Sequence, residues 1–191
     1  MYGRLYDAAL AVPERAGLRE LRREVLAGLR GRVLELGVGT GLNFPLYPPE
    51  LDELVGVDPD ESMLGRARER ARGAPFPVRL VVAAAEDLPF EAGSFDAAAA
   101  TLAMCTVPAP ERALREARRV LRPGGELRLL EHVRADRIGR LQELATPVWK
   151  RVAGGCHLDR ETLKYVREAG FEVERVERRL GGVLLSVFAR S

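Results

Sequence analysis

A short apolar run ending in three alternating glycines limits what this chain can fold into more than any other feature. The sequence reads VLELGVGTG at 33–41, which puts Gly37, Gly39 and Gly41 directly after a run of buried-strand character. A second apolar run, VGV at 55–57, ends in an isolated acid, Asp58, followed by Pro59. Strand, glycine turn, and an acid at the end of the next strand describe a nucleotide-type pocket at the edge of an α/β sheet. The dinucleotide fingerprint requires G-x-G-x-x-G, and Leu42 stands where its third glycine belongs. Glu35 precedes the first glycine by two positions; its charge would repel a pyrophosphate and suits a ligand that carries cationic groups.

The rest of the chain alternates between helical and strand periodicity. Leu18, Leu21, Val25, Leu26 and Leu29 predict a helix over 14–29, stopped by Gly31. Strands follow at 32–36, 53–57, 78–82 and 95–102, with only a short turn of helix between the first two because Pro48 and Pro49 interrupt it. A helix is predicted from Asp60 to about Gly73, with acids at its start, and another over 110–120. The PGG run at 123–125 turns the chain into a fifth strand at 126–131. An amphipathic helix over 138–152, interrupted near Pro147, and a helix over 161–169 come next. Alternation over 171–178, the Gly181-Gly182 pair and an apolar run over 183–189 then predict a hairpin. The expected architecture is α/β: a doubly wound, Rossmann-like, mostly parallel seven-stranded sheet with an antiparallel last strand.

Read as E-x-G-x-G-x-G, the run from Glu35 to Gly41 resembles motif I of the class I S-adenosylmethionine-dependent methyltransferases (methyltransferase type 11 domain). The resemblance extends through VGVDP at 55–59, AEDLPF at 85–90, SFD at 94–96 and LRPGG at 121–125. It implies S-adenosylmethionine as cofactor, with Glu35, Gly37, Gly39, Gly41, Asp58, Pro59, Met63, Ala85, Glu86, Thr101 and Leu102 around it. In that arrangement the three glycines let the backbone approach the methionine half of the cofactor, Asp58 accepts from the ribose hydroxyls, and Met63 lies against the adenine. Quinone-pathway relatives carry Asp before the Ala of the AEDLPF segment; Ala84 stands there in this chain, so the adenine amino group has to find Glu86, a backbone carbonyl or water.

Beyond the fourth strand, the runs TLAMCTV at 101–107, LEHV at 130–133 and GGCHL at 154–158 resemble the small thiol methyltransferases of animals and their bacterial relatives. The opening GVGTGLN at 37–43 resembles that of bacterial phospholipid N-methyltransferases as well. The implied activity is methyl transfer to a small-molecule acceptor, first a thiol, with a phospholipid or quinone as the alternative and a cofactor-binding protein without activity as a third reading. A general base is needed only if the acceptor arrives protonated. Candidates at the strand ends are Asp7, Cys105, His132 and His157; His132 and Asp7 are the expected catalytic pair. Cys105 also reads as a small buried residue, and Tyr2 and Tyr6 as part of a lid or as a frayed terminus.

Length and composition support a single domain over 1–191: the chain is 47% hydrophobic, enough for a sizeable core. Within it, 1–30 is expected to be an N-terminal helical lid and 132–160 an acceptor-side insertion. A net charge of +2 does not recommend a nucleic-acid partner. Cys105 and Cys156 lack metal-ligand spacing, so reduced thiols and no metal are expected, in a cytoplasmic protein. Animal thiol methyltransferases carry an N-terminal membrane anchor, which this chain is expected to lack. The 138–152 helix carries Ile138, Leu141, Leu144, Val148 and Trp149 beside Arg137, Arg140, Lys150 and Arg151, which suits a membrane surface, a cap on the acceptor pocket, or ordinary core packing. Arg15, Arg19, Arg22 and Arg23, interleaved with Glu14, Glu20 and Glu24, read as a solvated helix face. Oligomeric state is not legible from the sequence.

Overall fold

Seven strands form one sheet in the order β3-β2-β1-β4-β5-β7-β6. They are β1 (Arg32–Leu36), β2 (Glu53–Asp58), β3 (Val78–Val82), β4 (Phe95–Thr101), β5 (Leu121–His132), β6 (Glu172–Arg179) and β7 (Leu184–Arg190). The computed structural model describes residues 2–152 and 155–191. Strands β1 to β5 pair in parallel, and β7 runs antiparallel to both of its neighbours. The reversed strand is therefore inserted between β5 and β6, as the hairpin pattern predicts.

Helices cover both faces, so the strands read as continuous apolar runs whose alternate residues enter opposite cores. Leu34, Leu36, Val55, Val57, Ala98 and Ala100 pack with α4 (Pro110–Val120) and α6 (Thr162–Glu168). Val33, Leu54, Ala97 and Ala99 pack on the other side with α2 (Arg19–Leu26) and α3 (Glu61–Ala71). The same alternation places Glu35 and Thr101 on the α2 side: Glu35 lies opposite Ala99, and Thr101 follows Ala99 by two.

Three boundaries differ from the sequence reading. The helix predicted over 14–29 is α2, ending at Leu26 and entered through a widened turn over Glu14–Leu18 where Gly17 takes φ +116°; α1 (Tyr2–Pro13) precedes it. The fifth strand begins at Leu121 rather than after the PGG run. Phe95 pairs with Leu121 and Ala97 with Glu126, so the residues between Leu121 and Glu126 bulge out of the ladder. Pro147 lies inside α5 (Gly139–Val152), which runs through it without a break.

One polar staple closes the amino-terminal edge of the sheet. The Arg32 amide donates to Asp96 Oδ2 at 2.6 Å, and Arg122 pairs with the other carboxylate oxygen. Gly31, at φ +72°, turns the chain into β1 directly beneath that carboxylate, where a Cβ would overlap Asp96. Gly31→Ala therefore combines a left-handed backbone with a steric clash, and is expected to cost about 2–4 kcal/mol. An unchanged midpoint in urea unfolding would count against this account of the β1 entry.

Candidate active site

The parallel strands bring the ends of β1, β2, β4 and β5 to one edge of the sheet, where ligands of open α/β folds bind. The glycine loop leaves β1 there, and its three glycines serve different purposes. A Cβ on Gly37 would meet the Ala103 Cβ at 2.6 Å, and one on Gly41 would meet the Phe44 ring at 2.5 Å. These two are small because the protein's own side chains occupy the space. Gly39 differs: at φ +55°, a Cβ there has nothing nearer than Met63 Cε at 3.7 Å. Of the three, only Gly39 leaves open room for a ligand to approach the backbone.

Beneath the loop lies a buried polar network. Glu35 is 1% exposed; its Oε1 accepts from Asn43 Nδ2 at 2.7 Å, and the buried Tyr47 hydroxyl stands beside its carboxylate. Asn43 Nδ2 also donates to Thr101 Oγ1 at 2.9 Å. From α2, Arg22 Nη1 reaches Asn43 Oδ1 at 3.1 Å and Thr101 Oγ1 at 3.2 Å. Arg22 is itself only 4% exposed and pairs with Glu14 at 3.1 Å. This corrects the sequence reading of Arg22 as part of a solvated face. Burial pushes the Glu35 pKa up to about 7, against the lowering influence of Asn43, Tyr47 and the Arg22 charge. A buried acid beneath a loop that is open at Gly39 suits a ligand carrying a cationic group.

Asp58 ends β2 half-buried, its two oxygens accepting from the Gly39 amide at 3.0 Å and the Asp60 amide at 2.9 Å. Burial raises its pKa, only partly offset by these amides. Asp58 thus shapes the glycine loop and retains lone pairs for further donors. Pro59 is exposed beside it, while Met63 and Ala85 are buried. Glu86 turns elsewhere: its Oε1 accepts from the Ala109 amide at 3.1 Å, just before α4. This bond ties the AEDLPF segment to the start of α4 and leaves Glu86 Oε2 for other donors.

The N-terminal helix is tied to the glycine loop. Thr40 Oγ1 donates to Asp7 Oδ1 at 2.6 Å, and Arg70 and Arg66 reach Asp7 Oδ2 at 2.7 and 3.2 Å. Burial acts to raise the Asp7 pKa, but hydrogen bonds from Arg70 and Thr40 and the Arg70 charge outweigh it and leave the group lowered. A carboxylate held by two arginines does not suit the base role expected of Asp7; its geometry is that of a clamp. The Tyr2 and Tyr6 side chains, assigned to a lid, lie outside the described residues, as does Gly154 of the GGCHL run. A cleft of about 610 Å³ lies on the outer side of this clamp, lined by Asp7, Glu14, Gly41, Leu42 and Arg70, and Asp58 and Met63 do not line it.

On the other side of the edge, β4 is followed by Leu102 at φ +57°, a left-handed conformation unfavourable for a branched side chain. Leu102 N–H donates to Leu130 O at 2.7 Å. The following turn is held by Glu131, fully buried, whose oxygens accept from the Ala103 and Cys105 amides at 3.0 and 3.1 Å. Burial pushes the Glu131 pKa up to about 7. His132 follows at the tip of β5. Its Nδ1 is 3.5 Å from Cys156 Sγ, which is 3.4 Å from Cys105 Sγ. Burial pulls the His132 pKa down, and contact with Cys156 and the charges of Cys156 and Glu131 outweigh it, so the group is raised. Of the two thiols, contact with Cys105 pulls the Cys156 pKa down, while contact with Cys156 and burial push Cys105 up. His157 stands apart, its Nδ1 3.7 Å from Asp159.

Sequence reasoning named Glu35 and His132 and missed residues around each: Arg22 and Asn43 in the Glu35 network, Glu131 and Cys156 beside His132. Two signals were available. Glu131 is an acid inside an apolar strand, and Asn43 closes the glycine run.

The methyltransferase-domain family matches residues 34–129. Human thiol S-methyltransferase TMT1B is 41% identical, covering 84% of this chain and 69% of that protein. Phosphatidylethanolamine N-methyltransferase of Cereibacter sphaeroides is 41% identical over 56% of this chain and 53% of its own. Among solved structures, an S-adenosylmethionine-dependent methyltransferase of Thermotoga maritima, described as a possible histamine N-methyltransferase, superposes with a TM-score of 0.75. It is 29% identical and covers 98% of this chain and 95% of its own.

Removing the amide that bridges Glu35, Thr101 and Arg22 tests the buried network. Asn43→Ala leaves the acid without its donor and is expected to lower stability by about 1–3 kcal/mol, read from the denaturant midpoint. No shift would mean the network is not structural.

Proposed function

The chain belongs to the methyltransferase-domain family of S-adenosylmethionine-dependent enzymes, and from that premise we propose that its methyl acceptor is a thiol on a small molecule. When bound, the cofactor supplies an electrophilic methyl group on a sulfonium sulfur. Gly39 and Glu35 would hold the methionine half: the open backbone at Gly39 would admit it, and the buried Glu35 acid would favour its ammonium. Asp58 would accept from the ribose hydroxyls while its amide bonds keep the loop in place, and Pro59, Met63 and Ala85 would border the adenosine. Gly37 and Gly41 contribute by shaping the loop, and Thr101 and Leu102 form the floor toward the acceptor. The Asp7 clamp holds the first helix against the loop, excluding water from one side.

The observation that carries the thiol reading is the convergence on the acceptor side. Three runs widely separated in sequence, around Cys105, His132 and Cys156, meet at the tips of β4 and β5. They are the runs that resemble thiol methyltransferases, and TMT1B is similar across most of this chain. Two sulfurs and an imidazole make a soft, weakly charged surface suited to a thiol. Holding acceptor and methyl about 3–3.5 Å apart and aligned supplies much of the catalysis such a transfer needs, on the order of 7–11 kcal/mol.

A second reading, a lipid acceptor, is favoured by α5. Leu141, Leu144 and Val148 are 64%, 77% and 66% exposed on it, beside Arg140, Lys150 and Arg151. No helix among the described residues is long and apolar enough to cross a membrane.

The deciding assay is S-adenosylhomocysteine release with small alkyl and aryl thiols, run beside phosphatidylethanolamine vesicles. Saturable, thiol-dependent release is expected; release with vesicles alone would replace the thiol reading with the lipid one. Cofactor binding is expected to be pH-dependent through Glu35, whose pKa is raised from 4.5 to about 7 in the free fold. The ammonium favours the ionised acid, so affinity should rise as pH increases through that value, by roughly fivefold or more between about pH 6 and 7.5. Calorimetry on Glu35→Gln should show this dependence flattened. A variant that keeps the full wild-type dependence would remove Glu35 from the cofactor site.

A further inference from the structure

Cys105, Cys156 and His132 lie on three different segments, yet their ligand atoms all fall within 4.8 Å of one another. Cys105 sits in the turn after β4, His132 at the tip of β5, and Cys156 in the segment after α5. Two features hold this convergence in place. The buried Glu131 carboxylate fixes the Cys105 amide at 3.1 Å, and the His157 amide donates to the Cys105 carbonyl at 2.8 Å, tying the two cysteine segments backbone to backbone. Both thiols are buried, at 1% and 6% exposure.

We propose that these three side chains form a binding site for a soft divalent cation, with zinc the best fit, and that its fourth position takes the thiolate of the methyl acceptor. Ligands on a tetrahedral zinc, with Zn–S about 2.3 Å and Zn–N about 2.0 Å, stand about 3.5–3.8 Å from one another. The sulfur–sulfur and sulfur–imidazole distances here are 3.4 and 3.5 Å. Bringing the most distant pair into range needs a side-chain movement of about 1 Å. Thiolate and imidazole select zinc over the hard cations that prefer oxygen ligands. Three protein ligands with one position open is the arrangement of catalytic rather than structural zinc. Glu131 and the His157 amide act as the outer partners that orient such ligands.

The protons balance simply. Each cysteine releases its thiol proton to solvent as its sulfur–metal bond forms, and an incoming acceptor thiol does the same. The acceptor sulfur then forms its bond to carbon as the methyl–sulfonium bond breaks, and that electron pair stays with the departing sulfur. No external base is then required of Asp7 or His157. The cation site stands on its own geometry; the role of its fourth position rests on the thiol reading above.

The test uses untagged, reduced, metal-free protein titrated with cobalt(II), which reports thiolate ligation by its charge-transfer absorption and tetrahedral geometry by its visible bands. One equivalent with both signatures is expected, displaced by zinc. Cys105→Ser, Cys156→Ser and His132→Gln should each weaken uptake at least tenfold. The wild-type spectrum needs no variant and remains decisive if one of them fails to fold. Absence of the charge-transfer band in reduced wild-type protein would overturn the site, as would loss of both free thiols to a disulfide in its place. Adding an alkyl thiol, without cofactor, should shift the visible bands; an unchanged spectrum would overturn the fourth-position role. Thiol methylation that persists without cobalt or zinc uptake would overturn the metal site and leave the thiol reading intact. Uptake with no thiol turnover would do the reverse.

Discussion

A carboxylate kept out of water at the end of the first strand sets most of what surrounds it. Burying a charge costs several kcal/mol unless it is paired and hydrogen-bonded, and Glu35 is held by Asn43 with Tyr47 beside it. Asn43 faces inward because Glu35 needs its amide. Thr101 and Arg22 complete the same network, which couples the end of β4 and the α2 helix to the glycine loop. The Glu35 carboxylate lies beneath a loop that is open at Gly39.

Glu131 repeats the arrangement at the end of β5. It is also fully buried and also has a raised pKa, yet its oxygens are spent on backbone amides of the turn after β4. The difference decides their roles. Glu35 is held by side chains, Asn43 and Tyr47, beneath the glycine loop, whereas Glu131 is satisfied by backbone amides and holds Cys105 in place. The strained Leu102 backbone between β4 and that turn persists because Glu131 and the Leu130 carbonyl fix both sides of it.

Much of the architecture was legible from periodicity and turn chemistry. The β1, β3 and α4 bounds follow the pattern of apolar residues, and the Gly181-Gly182 reversal marks the antiparallel insertion. Arg22 was not legible. On a helix rich in Arg and Glu, nothing local separates the arginine that turns inward from those that face solvent; a buried acid and amide on two distant strands make the difference. Asp7 likewise reads as a free carboxylate until Arg66 and Arg70 are placed beside it. The PGG run reads as the start of a strand but bulges within one, because Leu121 already pairs with Phe95.

By itself the sequence determined the α/β class, a mostly parallel sheet with a reversed last strand, the glycine loop with Glu35 and Asp58, and the family these carry. Those features are local: a strand, a turn and a helix start are set by residues a few positions apart. Tertiary structure decided which glycine is open to a ligand, which arginine is buried, and that two cysteines without metal-ligand spacing meet one histidine. Those depend on where separate strands end in space, and β4 and β5 bring their tips together only once the whole sheet is paired.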